Sequence, residues 1–331
     1  MGIIKSLLVT LVAVFASATW ALAQTYPTKE IRLIVPSSVG AWNDVSTRSV
    51  VQKMGVILGQ SIVVVNRPGA LGKIALDECM RARSDGYTIC QANWGHMGAL
   101  VADSIASGDS PTYDPGRYLI PIGQMAEAQY VLVANKEIPA TTFAEFVAYA
   151  RARPRELLFA TPSPFSVLVA GILRSVLRVD MIEVPYTGAN SDARSTADLV
   201  GNHIHIKVGE VHSMKSFSNE RKVNLLGVFA GRGRSPSFSN VPSLVELGIS
   251  EFGLLEAWTA LWAPPGTPPE IARKLNSALV EALNDRDVQE AFNNLGVIPR
   301  PGTPEELTAL RANVPTLADL IRRNNIRIFG R

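Results

Sequence analysis

Apolar residues along the chain recur in two alternating rhythms. Short β-branched runs are separated by longer stretches with apolar positions three and four apart, and Gly, Pro, Asn and Asp mark the joints. Residues 31–35 (Ile-Arg-Leu-Ile-Val) read as a strand, residues 36–42 as a loop with Gly40, and residues 45–58 as a helix that Asn43 or Asp44 caps. A second strand over 61–65 ends at Asn66-Arg67-Pro68-Gly69. A helix over 72–82 and the turn Ser84-Asp85-Gly86 then lead to a third strand over 87–92. Strands this uniformly apolar, separated by helices, predict βαβ crossovers in a mostly parallel sheet covered on both faces.

The middle of the chain repeats the theme. Strands are expected over 130–134, 157–160, 181–184, 203–208 and 224–230, with helices over 143–153 (capped by Thr142), 167–177 and 191–199 between them. A loop at Gly231-Arg232-Gly233 and Pro236 precedes a short helix opening at 241–244. An apolar strand over 258–263, a Pro-rich break over 264–268 and a long amphipathic helix over 270–283 follow. A final helix starts at Thr303-Pro304, where Thr is a good cap and Pro a good first residue.

Composition narrows the classes. A length of 331 residues argues for two domains, and 18% charged with 47% hydrophobic residues is ordinary for a globular chain. Lys plus Arg number 32 against 29 Asp plus Glu; a net charge of +3 is too small and scattered for a nucleic-acid footprint. Lys5, the apolar stretch 7–20 and Ala21-Leu22-Ala23 read as a signal peptide over 1–23, cleaved after Ala23, which puts the mature chain on the far side of the membrane. The apolar run is short for a permanent anchor. Cys79 and Cys90 cannot build a zinc ribbon or a disulfide scaffold; in an oxidising compartment they either pair with each other or pack as two buried thiols. His203 and His205 alternate on the expected strand with no Cys or carboxylate cluster beside them, which reads as solvated strand histidines and no metal. No phosphate loop, dinucleotide fingerprint or nucleophile elbow is present, so no cofactor is expected.

Tyr26-Pro27-Thr28-Lys29, Gly40 with Asp44, Val63-Val64-Val65-Asn66-Arg67-Pro68-Gly69-Ala70, Asp85-Gly86-Tyr87-Thr88, Tyr113-Asp114-Pro115, Val184-Pro185-Tyr186-Thr187-Gly188 and Trp262-Ala263-Pro264-Pro265-Gly266-Thr267-Pro268 make one ordered set from residue 26 to about 320. This set resembles the Bug-type solute-binding proteins of tripartite tricarboxylate transporters. The resemblance implies an α/β periplasmic binding protein of the type II, Venus-flytrap kind, with mixed, mostly parallel sheets and two crossing hinge segments. Residues 24–127 plus 232–331 are expected to form domain 1 and residues 128–231 domain 2. A monomer that holds a small carboxylate in the interdomain cleft and hands it to transmembrane permease subunits, or to a sensory receptor, is the implied function. A secreted hydrolase or lyase using Asp44 and Glu210 as acid and base is the competing class.

In open parallel sheets, ligands sit beyond the carboxyl ends of strands, near helix N-termini with unpaired N–H groups. The expected ligand residues are Ser37, Ser38, Ala41, Trp42, Asn43 and Asp44 after the first strand, and Asn93, Trp94, Gly95 and His96 in a loop after the third. In domain 2 they are Ser163, Phe165, Ser166, Tyr186, Thr187, Gly188 and Glu210. Asp44 reads equally as a helix cap and as a ligand contact. Two departures stand out from the family pattern. The first loop keeps a single glycine, Gly40, and residues 162–168 contain no Gly or His, while Pro162 and Pro164 remove two N–H donors. The expected ligand therefore has one carboxylate and an aromatic or aliphatic body, with the acid end at the 37–44 and Asn93 loops and the body against Trp42 and Phe165.

Overall fold

Ile31, Leu33 and Val35 turn to one face of strand β1 (Ile31–Val35) and Ile34 to the other, and all four are fully buried. A strand covered on both faces needs no polar alternation, which is why its sequence reads as one apolar run. In the computed structural model, which describes residues 26–108, 114–187, 190–229 and 233–328 (of Leu71 the backbone alone), β1 lies in a six-stranded sheet. The order is β11–β4–β10–β3–β1–β2, with β2 (Ile62–Asn66), β3 (Thr88–Asn93), β4 (Ile120–Ala128), β10 (Trp258–Ala263) and β11 (Val297–Pro299). A second sheet has the order β7–β6–β8–β5–β9, from β5 (Tyr130–Asn135), β6 (Leu158–Thr161), β7 (Ile182–Pro185), β8 (Ile206–Glu210) and β9 (Val223–Phe229).

The helices are α1 (Trp42–Leu58), α2 (Lys73–Met80), α3 (Leu100–Ala106), α4 (Phe143–Arg151), α5 (Pro164–Ser175) and α6 (Ser191–Val200). After them come α7 (Val211–Asn219), α8 (Pro269–Leu283), α9 (Arg286–Asn294), α10 (Pro304–Leu310) and α11 (Val314–Arg323). Val50 and Met54 of α1 and Leu275 and Leu279 of α8 cover one face of the first sheet, while Leu76 and Cys79 of α2 cover the other. The core on that second face continues without a break to Leu132, Phe159 and Ile206 of the second sheet. Thr142 and Thr303 cap their helices as the sequence indicates, each in a reciprocal box with the Glu three residues on. Cys79 and Cys90 are bonded, with Cα atoms 6.1 Å apart, tying α2 to β3.

The α/β class with mixed sheets is as expected, but the parallel share is smaller. Four strand pairings among the described residues are parallel and five antiparallel. The cause is topological: β4 leaves the first sheet and β10 returns to it, so the two neighbours must run in opposite directions. β4 itself was not legible, because Pro121, Gly123 and Gln124 interrupt its apolar pattern; α9, the three-residue β11 and α11 were likewise unassigned. His203 and His205 precede β8 instead of alternating along it, and the His205 Nδ1 accepts a hydrogen bond from the Leu158 N–H at 2.9 Å.

The chain passes from β4 to β5 through one residue, the buried Gln129. On the return path, the fully buried Ser235 donates its hydroxyl to the Gln129 Oε1 at 2.5 Å. The expected change of domain at 231/232 lies outside the described residues, and the chain from 238 to 244 packs with the second sheet. Phe238 and Val241 lie in that sheet's core, and Leu244 donates its N–H to the Val228 carbonyl. The expected helix at 241–244 is accordingly an extended stretch bridging β9 at Ser243. Near the C-terminus, Ile326 rests on Gly171 of α5, where a Cβ would stand 2.6 Å from its side chain.

Two outcomes follow from these ties. Gln129→Ala strands the buried Ser235 hydroxyl, so it should lower stability by about 1–3 kcal/mol in urea unfolding. Denatured, unreduced protein should take up no thiol label, and Cys90→Ser should cost about 2–3 kcal/mol for the short loop it opens.

Candidate functional site

β3 ends, β10 begins and β4 ends at one edge of the first sheet, since Asn93 pairs with Thr259 and Trp258 with Glu127. In the second sheet Tyr130 pairs with both Glu210 and Phe229, which puts the start of β5 and the ends of β8 and β9 at one edge. Only Gln129 separates Ala128 from Tyr130, so these two edges face each other. The sequence-indicated residues lie along them, Gly188 falling outside the described residues.

On the first sheet, helix α1 begins earlier than expected, at Trp42, with Ala41 as its N-cap. Asn43 and Asp44 are therefore buried first-turn residues and not caps. Asp44 nevertheless organises the loop from within the helix. Its carboxylate accepts from the Gly40 N–H at 2.9 Å, from Asn66 Nδ2 at 2.8 Å and from Arg48 Nε at 3.1 Å, and Asn66 also donates to the Ser37 carbonyl at 2.9 Å. These donors hold the carboxyl below its usual range against the opposing effect of burial. No side chain caps α1, and the Ser37 Oγ is buried with no partner among the described residues. Beneath this loop, Gln91 Nε2 donates to the Thr47 Oγ1 at 2.8 Å and to the Asn43 carbonyl at 3.2 Å. Ser38 is exposed, while Ala41 and Trp42 are half-buried, Trp42 against the first-sheet core.

Residues 94–96 are not a loop. Trp94 already has helical geometry, and a π turn (Gly95–Ala99) runs directly into α3. Asn93 closes the bend: its N–H donates to the His96 Nδ1 and its Oδ1 accepts from the His96 N–H, both at 3.2 Å. The ring edge at Nε2 lies against Gly72, where a Cβ would come within 2.2 Å, so only glycine fits there. Burial pushes His96 down to about 4, leaving it neutral. With Arg48 bound to Asp44, this half of the site offers dipoles and no free cation among its described residues.

The second half is built differently. Helix α5 starts at Pro164, three residues earlier than expected, and Ser163 and Ser166 cap each other's N–H groups. Pro at the first position fits because that N–H has no partner in the helix. Phe165 is buried, stacked on Tyr130 with centroids 4.7 Å apart, and edge-on to Phe229 at 5.3 Å and to Trp94 at 5.8 Å. On the first-sheet side the ring that meets Phe165 is Trp94, because the helical turn at 94–99 carries it across to α5. Tyr186 gives its hydroxyl to Asp198 at 2.6 Å, burial and then this bond pushing it up to about 12, and the exposed Thr187 accepts from Arg194 at its carbonyl.

Glu210 lies beside this aromatic wall with its side chain about one-quarter exposed and His212 at 3.6 Å. Burial and the nearby Asp192 push it up to about 7, while Lys207 opposes them. Lys207, a lysine within an apolar strand, carries no site signal in the sequence. It is fully buried and donates to Asp192 Oδ1, Ser195 Oγ and Thr196 Oγ1 at 2.7–2.9 Å, fixing the first turn of α6 to β8. Tyr130 and Phe229 carry none either, since apolar strand ends do not show what they face.

Residues 46–320 match the model of the tripartite tricarboxylate transporter family receptors, TctC. The chain is 30% identical over 311 residues to the protein BugT of Bordetella pertussis, covering 92% of each. Among solved structures, MatC from Rhodopseudomonas palustris with bound malate is 28% identical with a TM-score of 0.71, over 89% of this chain and all of that one. An R. palustris protein solved with adipate is 26% identical with a TM-score of 0.75, over 91% and 99% of the two chains. With that coverage, and with its two facing mixed sheets, the chain belongs to the TctC family of tripartite tricarboxylate transporter receptors.

Proposed function

We propose that this chain is exported to the periplasm, captures a small carboxylate between its two sheets and delivers it to the permease subunits of a tripartite transporter. The observation that carries this reading is the start of α1. No side chain caps its first-turn N–H groups, and the buried hydroxyl of Ser37 in the loop leading to it has no partner among the described residues. Such a site suits one carboxylate, held by hydrogen bonds and the helix dipole without a counter-cation. The relatives solved with malate and adipate support the carboxylate class. The aromatic wall of Trp94, Phe165, Tyr130 and Phe229 supports an apolar ligand body. Asp44 serves the loop and not a reaction, since Gly40, Asn66 and Arg48 all engage its carboxylate.

The two moving bodies would be residues 24–127 with the strands and helices from β10 onward, and residues 128–244. Closure about the Gln129 and return crossings would bury the ligand.

Mass spectrometry of the small molecule released on denaturing natively purified protein should find a carboxylate. A thermal-shift panel should show stabilisation by carboxylates with an apolar body, and stabilisation only by non-acidic solutes would overturn the reading. Asp44→Ala frees Gly40 and Asn66, so it should weaken carboxylate binding about tenfold in calorimetry while lowering stability by about 1–3 kcal/mol.

A further inference from the structure

The two halves of the site are chemically unequal. The α1 end presents uncapped N–H groups and a hydroxyl. At the α5 end Ser163 and Ser166 cap each other's N–H groups and Pro164 has none. A second carboxylate finds fewer donors there. What the second sheet presents instead is the Glu210 carboxyl on the residue opposite Tyr130 in register, with Phe229 opposite Tyr130 on its other side, Phe165 stacked on the Tyr130 ring and Phe229 edge-on to Phe165. Among the described residues, the contact recorded for that carboxyl is His212 at 3.6 Å. An acid beside aromatic faces attracts cations twice, through its charge and through the ring quadrupoles.

We propose that Glu210, at the aromatic wall of Tyr130, Phe165 and Phe229, holds an ammonium group at the far end of the ligand, so that the solute is an ω-amino carboxylate. This rests on the carboxylate reading above and refines its ligand class. An ionised Glu210 would repel the second charge of a dicarboxylate, the kind of ligand found in the relatives solved with malate and adipate.

The charged and titratable groups around Glu210 set the pH behaviour. Asp192 raises its pKa and Lys207 lowers it, while His212 is pushed down by burial and Tyr130 is pushed up. Glu210 titrates at about 7 in the free protein, so below that pH it must release a proton to pair with an ammonium. Affinity for an amino carboxylate should therefore rise from about pH 6 to pH 8, and affinity for a dicarboxylate should fall over the same interval.

Calorimetry with hexanoate, ω-aminohexanoate, adipate and hexylamine, and with their shorter and longer homologues, tests this on the full mature protein. The expected result is ω-aminohexanoate, or its best-fitting homologue, binding about tenfold or more tighter than the matching mono- and dicarboxylates. Glu210→Gln should bring the three within about twofold of one another. Equal affinities in the unmodified protein, a preference for adipate, or an amine preference that survives Glu210→Gln would overturn the proposal. Hexylamine binding as well as ω-aminohexanoate, and losing affinity in Glu210→Gln, would uphold Glu210 as the ammonium site while removing the carboxylate reading. No binding by any probe would overturn both.

Discussion

The row of rings that runs from Trp94 through Phe165 to Tyr130 is the contact on which the arrangement of the two sheets depends. Tyr130 opens the strand that follows the single-residue crossing, and Phe165 lies in the first turn of α5. Phe165 stacks on Tyr130 within the second half and meets Trp94 edge-on from the first, which brings the second sheet's edge onto the first. Aromatic pairs of this kind bury large area and add a geometric preference, so the interface is apolar and oriented at once. Phe229 and Phe252 extend the row along the return path. The polar part of the site is what this row leaves uncovered: the α1 loop on one side and Glu210 on the other.

The polar residues around the site work mainly on one another. Asp44, Asn66 and Arg48 shape the loop after β1; Asn93 and His96 shape the turn after β3; Lys207 fastens α6 to β8. Each such network satisfies groups that burial would otherwise penalise, and the two that contain Arg48 with Asp44 and Lys207 with Asp192 pair charges within the protein. Selectivity then rests on a few groups left open. On the proposed reading, the family scaffold is kept while the second half offers rings and an acid where the first offers N–H donors.

Among site residues, those adjoining strand ends were legible from sequence, because a loop between an apolar run and a helix has few places to go. Ser37, Asp44, Asn93 and Phe165 all adjoin the facing edges. Their roles were less legible. Asp44 read as a cap or a ligand contact and is instead a first-turn organiser, a distinction that depends on Asn66, which comes from a different strand. Asn93 to His96 read as a loop because two glycines, Gly95 and Gly98, hide a helical start that packing against Phe165 and Gly72 stabilises.

The order of apolar runs and helices by itself determined the α/β class, the two capped helices at Thr142 and Thr303, and the family resemblance, since periodicity, capping and motif spacing are local properties of the chain. Strand direction, the return of β10 between β3 and β4, and the extension of the second layer to Leu244 were decided only by tertiary structure. So were the Cys79–Cys90 bond and the meeting of Trp94 with Phe165. Each of these joins segments distant in sequence or requires a Cα geometry that spacing alone does not fix, and the free energy that selects them comes from burial shared between such segments.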